Sequence, residues 1–192
     1  MPIINTYRNP QELIDIAGKF IMKNKHQIKK ELRSSKHNIS PIKILLSNDK
    51  INSLKRILKL TNSNDIFVIG RNNKDIKMYI DNEYSNEKDI YTYNNIQFRY
   101  LTIHKSKGLE SEIVIIINAQ DDILGIPSKI KNEKIIKYVN NTKDYYPYEE
   151  ERRLFYVALT RTKNEVYIIS SKAKPSVFIK ELIKDNENIT LL

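Results

Sequence analysis

Apolar residues along this chain fall into two patterns. Five short runs, Ile42–Leu46, Ile66–Gly70, Phe98–Thr102, Ile113–Asn118 and Val166–Ser170, are rich in Ile, Val and Leu with few interruptions. Such runs predict strands of a parallel sheet covered on both faces. Between them, apolar residues recur three and four apart. Residues 10–24 place Leu13, Ala17, Phe20 and Ile21 on one helical face. They open on a start signal, with Asn9 as N-cap, Pro10 at the first helical position and Glu12 three residues after the cap. Residues 49–60 put Ile51, Leu54 and Leu58 on one face behind Asp49, and residues 150–163 and 176–185 predict two more helices. Alternating strands and helices predict one doubly wound α/β domain over residues 1–192, a mainly parallel sheet with helices on both faces.

Two stretches break the pattern. Residues 82–96 are polar and are expected to form an irregular connector. Residues 119–147 hold two prolines and predict a long excursion with one short helix. Asp121 and Asp122 follow an apolar strand, as a metal-binding carboxylate of a nucleotide site would, but the gap is too long and they read as loop acids.

Composition narrows the function. A chain of 192 residues can bury a core of its own. The absence of cysteine excludes disulfides and thiolate metal sites, and His26, His37 and His104 lie too far apart in sequence to suggest a metal site. The longest apolar run, Ile113–Ile117, is far too short to cross a bilayer, and no signal core follows Met1. A cytoplasmic protein without membrane contact is expected. The net charge of +10 fits attraction to phosphate backbones, and it fits equally the Lys-, Asn- and Ile-rich coding of an AT-rich genome. It favours nucleic acid because His104, Lys105 and Lys107 cluster in one segment.

That segment, Leu101–Glu110, reads as a strand running into a basic loop. Its hydroxyl, imidazole and ammonium groups can hold the phosphates and sugars of a single strand without reading its sequence. Gly108 permits a turn. Some forty residues on, Glu150–Arg161 reads as a helix in which Leu154, Val157 and Ala158 form an apolar stripe. Arg161 is the next position on that stripe. A charge there is expected to meet a partner at a cleft edge, or to reach water at the helix end. Near the start, Tyr7 can stack on a base and Arg8 can reach a phosphate oxygen.

Asn5–Arg8, Thr102–Glu110 and Glu150–Arg161 resemble motifs IV, V and VI of the superfamily 1 DNA helicases, the UvrD, Rep and PcrA group. They stand in that family's order and span almost the whole chain. The resemblance implies a RecA-like fold and a part in ATP-dependent DNA unwinding. It implies that Tyr7 packs adenine, that Arg8 contacts the γ-phosphate, and that Gly108 and Glu110 link the nucleotide site to the DNA. It assigns single-stranded DNA contact to Thr102 and His104, with Lys105 and Lys107 beside them. Arg161 takes the place of the arginine finger, which stabilises charge on the transferring phosphoryl group. Glu151 and Arg152 would couple nucleotide state to DNA grip.

No Gly-x-x-x-x-Gly-Lys-Ser/Thr loop occurs, and none of the four glycines begins one. The chain is therefore expected to be the second motor domain. A missing N-terminal helicase domain would hold Mg2+ and the ATP phosphates, and this chain alone would not hydrolyse ATP. The stretch between Gly70 and Thr102 is too short for a large accessory domain. Ile66–Asp75 resembles the strand-then-Arg-x-Asn stretch of the compact helicase IV type. A stand-alone, non-catalytic nucleic-acid-binding or regulatory relic of the fold is the rival reading. A helicase–nuclease is a weaker one, because the tail after Ser170 is too short for a nuclease domain.

Overall fold

The structure is a computed structural model that describes residues 3–5, 8–24, 27, 31–130 and 148–192. In chain order its elements are β1 (Ile3–Asn5), α1 (Gln11–Ile21), β2 (Glu31–Arg33), β3 (Ile42–Leu46), α2 (Lys50–Leu60) and β4 (Ile66–Gly70). A 3-10 turn (Asp75–Met78), β5 (Ser85–Glu87), β6 (Ile90–Tyr93), β7 (Ile96–Thr102) and β8 (Ser111–Ile116) follow. The last elements are α3 (Glu149–Leu159), β9 (Thr162–Ser170), α4 (Val177–Asp185) and β10 (Ile189–Leu191).

All five apolar runs are strands, and they form the centre of an eight-stranded sheet in the order β10-β3-β9-β8-β4-β7-β6-β5. The pairs from β10 through to β7 are parallel, as continuous apolar runs require, and β1 and β2 form a separate parallel pair. Alternate side chains of β8 go to opposite faces. Val114 and Ile116 join the core under α1, α3 and α4, while Ile113 and Ile115 join the core under α2. Helices therefore cover both faces of the sheet.

The sheet is wider than the five expected strands. The polar stretch 82–96 is not an irregular connector: β5 pairs antiparallel with β6, and β6 pairs antiparallel with β7. The two-residue turn Asn94–Asn95 joins β6 to β7 with φ of 47° and 63°. Asparagine tolerates that left-handed backbone, which suits a tight hairpin. Rings take the place of aliphatic residues here, with Tyr84 stacked on Tyr93 and Tyr91 stacked on Phe98. The start of α1 also differs from expectation. Pro10 is its N-cap and makes no side-chain cap bond. The Glu12 carboxylate accepts from Asn38 N (2.8 Å) and lies 2.9 Å from His37 Nδ1 rather than turning back to the helix. Asp49 does cap α2, accepting from Asn52 N at 3.0 Å.

The buried face of α3 comprises Arg152, Leu154, Phe155, Ala158 and Leu159. Val157 is only half-buried and Arg161 lies beyond the helix end, so the charge on this buried face is Arg152. The Arg152 side chain is 3% exposed and donates to both Glu181 oxygens at 2.8 and 3.0 Å, and to Phe20 O at 3.2 Å. Its guanidinium lies 4.4 Å from the Phe20 ring and 4.9 Å from the Phe178 ring. One side chain thus joins α1, α3 and α4. Burial raises the Glu181 pKa, but the hydrogen bond and charge of Arg152, helped by Lys23, outweigh it and leave it below the ordinary carboxyl value.

Replacing Arg152 with alanine is expected to cost about 2–4 kcal/mol, because it leaves the half-buried Glu181 with Lys23 alone and empties the space beside two touching rings. The folded pKa of Glu181 is depressed, so the pair's contribution is present at neutral pH and fades as pH falls through that value. Urea unfolding of both proteins at neutral and acid pH checks this: the gap between them should narrow in acid.

Candidate functional site

Residues far apart in the chain meet at one edge of the sheet. Arg8 Nε lies 2.6 Å from Glu110 Oε2. Glu110 comes just before β8, and Arg161 sits between α3 and β9, the neighbouring strand. The Arg161 guanidinium donates to Leu109 O at 3.3 Å and, back along its own helix, to Val157 O at 3.0 Å. Lys163 Nζ stands 3.7 Å from Glu110 and 3.9 Å from Glu112. Tyr7 lies outside the described residues.

The local sequence explains why Arg8 is there. Asn9, expected as a helix cap, is buried, and its amide donates to Thr162 O at 2.6 Å and to Thr160 O at 3.4 Å. This ties the Arg8 segment to the turn that carries Arg161. Burial, and then the like charge of Arg8, lower the pKa of Arg161, while Glu110 and Tyr156 push the other way. Two guanidinium groups and an ammonium around partly exposed carboxylates suit a multiply charged anion such as a nucleotide's phosphates. Glu110 can accept from a sugar hydroxyl. Among the described residues no group of three or more His, Cys, Asp or Glu could hold a metal ion.

The basic loop links this edge to the far end of β7. Ile103 N donates to Gly70 O (3.0 Å), Ser106 N to Thr102 O (3.0 Å), and Leu109 N to Ser106 O (3.1 Å), so the loop is a compact turn. Gly108 has φ of 83°, the left-handed region that favours glycine. His104, Lys105 and Lys107 are exposed. Thr102 is buried, and its hydroxyl accepts from Lys105 N at 3.3 Å, so it shapes the loop from beneath.

Glu151 and Arg152, adjacent in sequence, serve different places. Arg152 is turned into the helix layer. Glu151 accepts from Arg71 Nε (3.0 Å) and Nη2 (2.9 Å), and from Ser128 N (3.0 Å), where β4 ends. Sequence reasoning missed Arg71 as this partner and missed the role of Asn9. The signal for the first was the Gly-Arg-Asn that ends the apolar run of β4. The second left no signal, because its acceptors lie 151 and 153 residues away.

A mainly parallel sheet covered by helices on both faces is an α/β architecture that many unrelated proteins share, so the fold alone does not set the function. Residues 81–173 match the model of the UvrD-like helicase C-terminal domain family. It is 29% identical over 184 residues to DNA helicase IV of Escherichia coli, covering 94% of this chain and 26% of that protein. Over 95 residues it is 40% identical to a probable DNA helicase II homolog of Mycoplasma capricolum, covering 44% of this chain and 12% of the relative. The chain thus spans about a quarter or less of the length of these relatives. Among solved structures, the C-terminal domain of a possible DNA helicase from Lactobacillus plantarum shares the fold. The TM-score is 0.57 at 17% identity, over 97% of this chain and 98% of that one.

Replacing Asn9 with alanine should leave a buried carbonyl unsatisfied and cost about 1–2 kcal/mol. It should also loosen the Arg8 segment. Chemical denaturation measures the first effect, and faster amide exchange at residues 11–14 measures the second.

Proposed function

We propose that this chain is the second motor domain of an ATP-dependent DNA helicase or translocase. In this reading ATP lies between the Arg8–Glu110–Arg161 edge and an N-terminal helicase domain that carries the phosphate loop and Mg2+. The observation that carries the proposal is the meeting of Arg8, Glu110 and Arg161 at one sheet edge, on three segments that share no local sequence. ATP would supply the phosphoryl transfer. Arg8 and Arg161 would hold phosphate oxygens, and Arg161 would act where charge develops in the transition state. Glu110 would take a hydrogen bond from the sugar, and Tyr7 would pack on the base.

The DNA contact falls to His104, Lys105 and Lys107, which can hold backbone phosphates of a single strand. Gly108 and Glu110 continue the same loop, so a change at the nucleotide edge reaches the DNA side through a few residues. The Glu151 anchor at the start of α3 would keep Arg161, at its end, in register with the sheet. Domain closure and opening would then shift populations between two grips on the strand.

In a protein that joins this chain to its phosphate-loop domain, Arg161→Ala should lower ATP turnover by on the order of 10³ or more while nucleotide binding persists. His104→Ala should mainly weaken single-strand binding and the stimulation of turnover by DNA. Steady-state ATPase assays with and without single-stranded DNA separate the two effects. Equal, mild losses in both variants would instead support the non-catalytic relic.

A further inference from the structure

We infer that Ile123 and Leu124 form a rigid apolar wedge that contacts the bases of a single strand whose backbone the His104 loop holds. The inference rests on the DNA-binding role proposed above.

The loop after β8 shows the reverse of the usual arrangement of a surface loop. Its backbone is tied down and its side chains are apolar and turned outward. Ile123 is 63% exposed and Leu124 is 49% exposed, while Ile126 is fully buried and anchors the loop in the core. The Ile123 carbonyl accepts from Lys129 N at 3.0 Å and from Ser128 Oγ at 3.1 Å. The Leu124 carbonyl accepts from the side-chain amides of Asn72 and Asn118, both at 3.3 Å. Gly125 packs so closely that a Cβ there would stand 2.1 Å from Gln120 O. Such a loop presents its apolar groups with little ordering left to do on binding.

Position and charge select the occupant. Asn72 follows the end of β4, which lies between β7 and β8 in the sheet, and Gly70 O receives the first backbone bond of the His104 loop. The two loops therefore leave strands two places apart, ~10 Å, the span of about three stacked nucleotides. Lys50, half-buried at the start of α2, reaches Asn118 Oδ1 and Met78 Sδ, both at 3.3 Å. Among the described residues no carboxylate lies within ion-pair distance of it. Of the loop's two acids one has its own cation. Asp121 pairs with Lys129 at 2.7 Å, and Asp122 accepts from Ile123 N at 2.7 Å. Cations flank an apolar knob, and a single strand offers both counterparts, phosphates for the cations and base faces for the knob.

The test is fluorescence anisotropy of the purified chain with labelled oligothymidylate and with a strand of equal length whose central sugars are abasic. The wild type should bind the intact strand about fivefold tighter than the abasic one. The Ile123→Ser/Leu124→Ser variant should bind both strands alike, with an unchanged salt dependence and an unchanged unfolding temperature. Ile123→Phe should keep or widen the preference. Lys105→Ala should weaken binding to both strands together and flatten the salt dependence. The wedge is overturned if the wild type binds both strands equally, or if the double serine variant keeps the full preference. If the wild type binds neither strand, the DNA-binding reading fails as well, which separates the two failures.

Discussion

One buried guanidinium organises the helical side of this domain. Arg152 is almost shut off from water, and its charge is met there by both oxygens of Glu181, by Phe20 O and by the Phe20 and Phe178 rings packed beside it. Those partners come from α1 and α4, while the arginine belongs to α3. The lateral position of α3 on the sheet is thereby fixed relative to both neighbours. An 11-residue helix is ~16 Å long, so what is fixed in its first turn determines where its last residue points. Arg161 stands just beyond that last residue.

The neighbour of Arg152 fixes the same helix in the other direction. Glu151 is tied to Arg71 and Ser128, so the first turn of α3 is held against the sheet's loops as well as against the other helices. Two adjacent charged residues thus anchor one helix end to two different layers. The far end is held more lightly, by Arg161 on main-chain carbonyls and by Arg8 on Glu110 with both side chains well exposed. Exposed ion pairs contribute little to stability, about 0–1 kcal/mol. Contacts of that size can be exchanged for a ligand's phosphates without unfolding anything.

The centre of the fold was legible because it obeys a single rule. A strand buried on both faces must be apolar throughout, and Ile42–Leu46 and Ile66–Gly70 matched their strands to the residue. The periphery follows other rules. The β5–β6 hairpin is built from polar residues and tyrosines, and its strongest sign, Asn94–Asn95, is a matter of backbone conformation rather than hydrophobicity. Asn9 looked like a helix cap because capping chemistry and long-range chemistry use the same amide. In α3 the apolar stripe through Val157 pointed to Arg161, while the buried face runs through Phe155 and Leu159 and carries Arg152. Periodicity finds a helix readily, but a charge on its buried face turns the apparent stripe by one residue. The site edge could be anticipated only through the resemblance of three separated motifs. Its assembly depends on Asn9 reaching across the chain, which no local pattern records.

The link between β7 and β8 has a mechanical consequence. These strands are parallel to β4 on either side of it, with Thr102 level with Gly70 and Ile113 level with Ile66. At ~3.3 Å per strand residue, the chain must travel back roughly 20 Å between Thr102 and Ser111. Eight residues cover that distance, much of it wound into a turn that advances only ~2 Å per residue. Hardly any spare length is left. A tether without slack passes displacement from one end to the other, whereas a loose one would absorb it. Pulling on the Glu110 end must therefore either unwind the turn or drag His104 along, and in both cases the exposed cations change position.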